Sequence, residues 1–143
     1  MKKYWILFIF LVFGCNDGII SPFGKFDEPF WLRIDGKKTV LPDQLSVEFK
    51  DVPGDSRCPL NVVCVWEGEV AVQLLVDHES FDPATLELKL RGDTAREDTL
   101  QHSTLDTLGY RFTLMEVAPY PVDPGVIERR EYRALLKVAK SEE

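Results

Sequence analysis

The chain has 143 residues, of which 24 are acidic and 17 are lysine or arginine, and its formal net charge at pH 7 is −7. A domain with this balance repels nucleic-acid phosphates and anionic lipid surfaces, which argues against a nucleic-acid-binding protein. The length suits one domain with one hydrophobic core and gives no reason to expect two.

The first fourteen residues have the layout of a secretory signal peptide. Lys2 and Lys3 form a positively charged start, and the apolar run of residues 4–13 follows. That run would be about 15 Å long as a helix, whereas the hydrocarbon core of a bilayer is about 30 Å thick. We therefore predict that residues 1–14 are a signal peptide rather than a transmembrane helix.

The signal peptide ends in "VFGC", residues 12–15, which resembles the lipobox of bacterial lipoproteins. The resemblance implies cleavage before Cys15 and attachment of palmitate-type acyl chains to the sulfur and the new amino group of this residue. Several chains would hold the protein durably on a membrane of the cell envelope. Asn16 and Asp17 do not decide between a periplasmic and a surface-facing position. The alternative is an ordinary secretory signal, with Cys15 free or paired.

Residues 15–28 contain glycine, proline, serine and acidic residues without a regular period. This composition is typical of a flexible tether. We predict that the folded domain comprises residues 29–143.

Within that domain, apolar and polar residues alternate with a period of two. The pattern occurs in six segments, which are "FWLRI" at 30, "LSVEFK" at 45, "EVAVQLLVD" at 69, "ATLELKLR" at 84, "YRFTLMEV" at 110 and "YRALLKVAK" at 132. Each predicts a half-buried strand. The last is rich in leucine and alanine, which are not strong strand formers, so a helix is the alternative there.

Turn residues separate these segments. "DGKK" at residues 35–38 predicts a tight hairpin, and a further short strand is expected near residues 98–101. "APYPVDPG" at residues 118–125 has three prolines and is incompatible with a central strand. Seven or eight short strands predict an all-β fold, an antiparallel β-sandwich of immunoglobulin-like or similar type. A small barrel is the second possibility.

Two cysteines remain if Cys15 carries lipid, and an exported chain favours a disulfide between them. A bridge between Cys58 and Cys64 would contribute roughly 2–2.5 kcal/mol on the loop-entropy model. We expect it to fix an irregular crossing that leads into a strand starting near Val62. Trp66 would then cover the bridge with its ring.

The same stretch lacks the residue patterns of most other kinds of site. Zinc needs four ligands, and beside the two sulfurs the chain offers His78 and His102 without paired spacing. The cysteines lack the Cys-x-x-Cys spacing of a redox pair, and hydrolase motifs are absent from the sequence. We expect no metal, no cofactor and no catalytic residue. Calcium binding stays open through four acidic residues, which are Asp51, Asp55, Glu67 and Glu69.

The combination "DSRCP" followed by "C-x-W-x-G", residues 55–68, resembles a motif in small uncharacterised bacterial lipoproteins. "LMEVAPYP" and "YRALLKVAK" are similar to the back half of such sequences, so that the resemblance spans residues 40–140. Glu67 departs from the pattern, in which a small residue often follows the tryptophan. The resemblance implies an envelope location and a fold, and it implies no activity.

We therefore expect a lipid-anchored envelope protein that is not an enzyme and acts as a binding module for an envelope protein partner. Loops on a rigid scaffold usually carry binding, so the candidate surface is the exposed edge of residues 57–61, with Trp66 nearby, together with the proline-rich residues 118–125. The candidate binding residues are Arg57, Pro59, Asn61, Trp66 and Tyr120. The alternative is an exported hydrolase with a carboxylate-based site, which requires a deep pocket with two carboxylates or a histidine beside a nucleophile.

Overall fold

A computed structural model of the protein describes residues 21–92 and 102–141, and these residues form a sandwich of two β-sheets. The strands are β1 (Phe23–Lys25), β2 (Phe30–Arg33), β3 (Lys37–Leu41), β4 (Leu45–Asp55), β5 (Glu69–His78), β6 (Phe81–Arg91), β7 (Ser103–Thr107), β8 (Tyr110–Ala118) and β9 (Arg133–Lys140). One turn of 3₁₀-helix, Arg129–Glu131, precedes β9.

The two sheets have the strand orders β1-β3-β4-β5-β6 and β2-β9-β8-β7. Neighbouring strands are antiparallel except β1 and β3, which run parallel. Neither sheet closes on itself. The predicted all-β sandwich is therefore confirmed, with nine strands in the described residues rather than seven or eight, and the barrel is not formed.

The core lies between the sheets and follows the predicted alternation. In β5 every second residue is buried, beginning with Val70 and Val72, and in β9 Ala134, Leu136 and Val138 are buried. The segment at 132–140 is thus a strand and not a helix. A strand between β2 and β8 can bury this face along its whole length, which outweighs the weak strand propensity of leucine and alanine.

The predicted hairpin at "DGKK" is wrong. β2 pairs with β9 in one sheet, whereas β3 pairs with β1 and β4 in the other. Asp35, which has a positive φ of 58°, donates its main-chain N–H to the Phe49 carbonyl at 2.7 Å, and Gly36 accepts from the Phe49 N–H at 2.9 Å. The Asp-Gly pair therefore turns the chain from one sheet to the other.

Two predicted boundaries are also wrong. β1 lies inside the segment that was expected to be a tether, and it pairs with β3 of the domain. The ordered domain therefore includes residues before 29. β5 begins at Glu69 and not near Val62, because residues 56–68 form a loop.

Several predictions fall outside the described residues. The signal peptide, Cys15 and the strand expected near residues 98–101 are among them. In the ranges 21–92 and 102–141, no helix has the length and apolar character needed to cross a bilayer.

Candidate functional site

Residues 56–68, which connect β4 to β5, form a loop that we call the disulfide loop. Main-chain hydrogen bonds close its base: Ser56 N–H donates to the Glu69 carbonyl at 2.8 Å and Cys58 N–H donates to the Glu67 carbonyl at 2.9 Å. Gly68 has φ of +72°, and a Cβ at this position would collide with the Ser56 carbonyl oxygen. Glycine is therefore required where the two arms of the loop approach each other.

The predicted disulfide is present. The sulfurs of Cys58 and Cys64 are bonded at 2.05 Å, and the two Cα atoms lie 6.0 Å apart. The bridge closes a ring within the disulfide loop, at the end of the sandwich where β4 ends and β5 begins. The bridge therefore lies in the connection between two neighbouring antiparallel strands of one sheet, and its inferred role in fixing this connection stays a prediction.

Arg57 lies at the base of the loop and is buried, with 5% of its surface exposed. Its Nε and Nη2 donate to the two carboxylate oxygens of Asp55 at 2.9 and 2.6 Å. Its Nη1 donates to the Val117 carbonyl at 2.6 Å and its Nη2 to the Pro119 carbonyl at 2.9 Å. The expectation of an exposed Arg57 at the loop edge is therefore wrong, because the guanidinium finds its acceptors inside the sandwich.

Asp55 and Tyr132 extend this buried network. The Tyr132 hydroxyl donates to Asp55 Oδ2 at 3.0 Å. Burial by itself would raise the pKa of Asp55, but the hydrogen bonds and the charge of Arg57 outweigh it, and the pKa lies below the usual value of 3.8. Burial and the Asp55 charge raise the pKa of Tyr132 to about 12. The network therefore holds a carboxylate, a guanidinium and a neutral phenol at neutral pH.

The network ties the disulfide loop to residues 119–127, which we call the proline loop. Leu60 N–H donates to the Pro121 carbonyl at 3.0 Å, and Asn61 N–H donates to the Val122 carbonyl at 2.9 Å. The Asn61 side chain also donates to Asp123 at 2.8 Å. The two loops thus form one structure, although about sixty residues separate them in the sequence.

The outer side of the two loops is apolar. Seven of the ten large hydrophobic side chains that are exposed among the described residues lie there, and we call them the apolar tip: Leu60, Val62, Val63, Val65, Trp66, Val122 and Val126. Val63 and Val65 are fully exposed, at 101% and 106%, and Trp66 is 65% exposed. The two loops therefore carry most of the large hydrophobic side chains that are exposed in the described residues.

The other predicted binding residues differ in their positions. Asn61 is exposed and Pro59 is half-buried. Tyr120 is half-buried, its hydroxyl donates to the Gly92 carbonyl, and the Arg57 guanidinium lies 4.9 Å from its ring centre. Trp66 was expected to cover the bridge with its ring; it lines a groove of about 540 Å³ together with the disulfide and Tyr120, and most of its surface is exposed. Asn61 and Trp66 thus lie at the surface, whereas Arg57 is buried and Tyr120 half-buried beneath the loops.

Val63, Val65 and Val126 were not predicted as site residues, and Val122 was included only as part of the proline-rich segment 118–125. In a chain of alternating strands a valine is expected in the core, so these residues carried no signal of exposure. The three prolines of "APYPVDPG" were the available sign that the second segment forms a loop.

Beside the base of the loop lies a cleft of about 350 Å³, lined among others by Asp51, Asp55, Arg57, Arg129 and Tyr132. Arg129 Nε donates to Asp51 at 3.1 Å, and Asp55 is paired with Arg57. Asp55, whose pKa lies below its usual value, is a poor general acid at neutral pH. In the described residues no three or more His, Cys, Asp or Glu side chains are grouped as metal ligands.

His78 makes a different kind of contact, at the end of β5. Its Nε2 lies 2.8 Å from the Asp43 carbonyl, which can only accept, so the ring proton is on Nε2. Its Nδ1 then accepts from the Ser80 hydroxyl at 2.7 Å. This is a histidine beside a hydroxyl, but its second nitrogen faces a main-chain carbonyl rather than the carboxylate of a catalytic triad.

Comparison with known proteins finds no family model, no curated protein and no solved structure that matches this chain. The resemblance of the "DSRCP" motif to small bacterial lipoproteins therefore stays a prediction.

Proposed function

We propose that the protein is a lipid-anchored domain of the bacterial cell envelope that binds another envelope protein through the apolar tip. The observation that carries the proposal is the exposure of the seven apolar side chains on two loops that are fixed to each other. Contiguous exposed apolar patches in water-soluble domains usually mark interaction sites.

The loops are suited to binding because contacts within the fold already hold their backbone in one conformation. The disulfide, the Arg57 network and the hydrogen bonds to Pro121 and Val122 restrict the backbone under the tip. Little conformational entropy would then be lost on association, which favours affinity. Trp66 is the residue at which we expect the largest share of the binding energy, since tryptophan is enriched among interface hot spots.

The charges beside the tip define the chemistry of the partner. Apart from Arg57, which pairs with Asp55, the charged side chains of the two loops are Glu67 and Asp123. The whole chain is also acidic, with a net charge of −7. These charges favour a protein partner whose apolar surface is bordered by lysine or arginine, and they oppose an anionic bilayer.

The anchor belongs to the same proposal and is tested separately. Cys15→Ala should leave the full chain without lipid, so the variant should be recovered in the soluble fraction of the envelope. Retention of the variant in the membrane to the same extent as the wild type would contradict the lipid anchor.

The binding test uses the full-length chain in its own cells. A photo-crosslinking amino acid at position 63 should trap a defined partner, whereas the same group at position 31 should not. Position 31 is the control because Trp31 is an exposed apolar residue on β2, outside the loops, and as a partly exposed tryptophan it also matches Trp66.

The partner is then purified and its affinity measured. Trp66→Ala should weaken binding by a factor of about 10 or more, as for a hot-spot residue, and Trp31→Ala should leave the affinity unchanged. Equal affinities for the two variants would contradict binding through the tip. Binding to lipid vesicles without a protein would contradict the proposed partner.

The hydrolase is kept as a second candidate because of the contact between His78 and Ser80. Activity of the purified chain on ester or peptide substrates that Ser80→Ala abolishes would support it. Activity that survives this substitution would have to arise elsewhere.

A further inference from the structure

β6 is an edge strand and lies at one end of the five-stranded sheet. Nine of its eleven residues pair with β5 along one side, from Phe81 opposite His78 to Arg91 opposite Glu69, and a register shift leaves Asp82 and Pro83 without a partner in β5. No other strand of the described residues pairs with its second side. An edge of this length presents a row of main-chain donors and acceptors to any strand that can align with it.

We propose that this edge pairs with β6 of a second copy of the chain. The two strands would run antiparallel around a two-fold axis at Leu88, and the two five-stranded sheets would become one continuous sheet. The occupant is a second copy because the side chains of β6 complement themselves in this arrangement. The proposal does not depend on the function of the apolar tip.

The side chains of β6 separate cleanly between its two faces. Leu86, Leu88 and Leu90 are buried against the other sheet. Thr85, Glu87, Lys89 and Arg91 are exposed on the outer face. Opposite residues in an antiparallel pair lie on the same face, so a two-fold axis at Leu88 keeps leucines opposite leucines and outer residues opposite outer residues.

The outer charges then match. Glu87 of each copy lies opposite Lys89 of the other, which gives two ion pairs by symmetry, and Thr85 lies opposite Arg91. Opposite charges at directly facing positions stabilise strand pairing. Within one copy Lys89 already contacts Glu69 at 3.3 Å and Glu87 at 3.9 Å, so the new pairs would continue an existing row of charges.

Neighbouring registers each bring like charges together. With the axis at residue 87, Glu87 lies opposite Glu87 and no ion pair forms. With the axis at residue 89, Lys89 lies opposite Lys89, although Glu87 then lies opposite Arg91. Over residues 85–91, the register centred on Leu88 is the one that pairs opposite charges without a like-charge contact. An axis halfway between two residues would place the leucines of one copy opposite charged residues of the other, on the wrong face of the sheet. Charged residues usually protect an edge strand from pairing. On β6 their alternating sign leaves the register centred on Leu88 attractive.

The first test is cross-linking by position, in cells that produce two differently tagged full-length chains. One chain carries Glu87→Cys and the other Lys89→Cys. Opposite residues have Cα atoms about 4.5–5.5 Å apart, which is within the range of a disulfide. We expect a thiol-sensitive dimer that contains both tags.

The controls are cells in which both tagged chains carry the same substitution. Two copies of Glu87→Cys, or two copies of Lys89→Cys, would place the thiols diagonally, about 7–8 Å apart, where cross-linking is poor. A mixed pair that cross-links no better than these controls would overturn the proposal. Equal cross-linking in all three cases would indicate random collision and would overturn it too.

The second test reverses the charges, with Thr85→Cys on one chain and Arg91→Cys on the other as the reporter pair. Glu87→Lys or Lys89→Glu in both chains creates two like-charge contacts and should lower the cross-linked yield roughly three- to tenfold. The double variant Glu87→Lys/Lys89→Glu restores opposite signs and should recover the yield. Single variants with no effect, or a double variant without recovery, would contradict the register.

The substitutions lie on the exposed face of the strand, so we expect the variants to fold. The far-ultraviolet circular dichroism of each purified variant checks this. Trp66→Ala in the reporter chains should leave the yield unchanged, because the apolar tip is not part of the paired edge. A loss of cross-linking in that variant would mean that the contact runs through the tip, and it would overturn pairing through β6.

Discussion

In most domains charged side chains are exposed and apolar ones are buried, but the base and the tip of the disulfide loop show the opposite distribution. At the base a charged residue, Arg57, is buried, and at the tip Val63, Val65 and Trp66 are exposed. Four hydrogen bonds to side chains and carbonyls compensate for the burial of the guanidinium. No such contact compensates for the exposure of the fully exposed valines, which leave their apolar surface in water. The base is therefore a structural element, whereas the tip is the exposed apolar surface for which we propose a binding partner.

The largest effect is expected at the base, for Arg57→Ala. The substitution leaves Asp55 buried without its partner and the Val117 and Pro119 carbonyls without their donor, so we expect a loss of about 3–5 kcal/mol in the free energy of unfolding. Denaturant titration followed by tryptophan fluorescence measures this loss.

Arg111 offers a matched control, because it makes the same two-point contact with Asp106, at 2.7 and 2.8 Å, on the exposed side of β8. Ion pairs of that kind contribute about 0.2–1 kcal/mol. If Arg111→Ala were as destabilising as Arg57→Ala, burial would not be the reason for the importance of Arg57, and the contrast between base and surface would fail.

The disulfide comes next. Removal of the bridge should lower the free energy of unfolding by roughly 2–2.5 kcal/mol. Cys58→Ser and Cys64→Ser should have equal effects, and the double variant should be no worse than either, since both substitutions remove the same bond. Strongly additive losses would show that each sulfur has a separate role. The same variants should weaken partner binding, because they loosen the backbone under the tip.

A smaller, pH-dependent effect is expected for Tyr132→Phe. The variant loses the hydrogen bond to the charged form of Asp55, which should cost about 1–2 kcal/mol at pH 7. The pKa of Asp55 is lowered in the folded chain, so the stabilisation is complete above the usual value of 3.8 and is lost as the pH falls through the lowered value. Thermal unfolding from pH 7 to pH 2 should show the two proteins converging in acid. A difference that grows below pH 4 would have the wrong sign.

Alternation predicted most of the sandwich, because a strand with one face in the core leaves a period-two pattern in the sequence. The Cys58–Cys64 bridge was predicted by assigning Cys15 to lipid, which left one pair. The failures have physical causes. The Asp35–Gly36 turn is chemically the same whether it closes a hairpin or crosses between sheets. The burial of Arg57 depends on carbonyls about sixty residues away, which leave no signature beside it.

The exposure of the apolar tip likewise leaves no signature in the sequence. Substitutions in the tip are expected to have the smallest effect on stability. The double variant Val63→Ser/Val65→Ser should change the free energy of unfolding by no more than about 0.5 kcal/mol, since neither side chain has a packing contact to lose. Val72→Ala in the core of β5 is the contrast and should cost about 2 kcal/mol or more.

Thermal unfolding of the two variants beside the wild type measures this contrast. A loss above about 1 kcal/mol in Val63→Ser/Val65→Ser would mean that the tip packs against the fold. The exposure of the tip would then have to be explained without a partner. If stability is unchanged and binding is lost, the valines contribute to recognition and not to folding, which is the division between tip and base that the structure predicts.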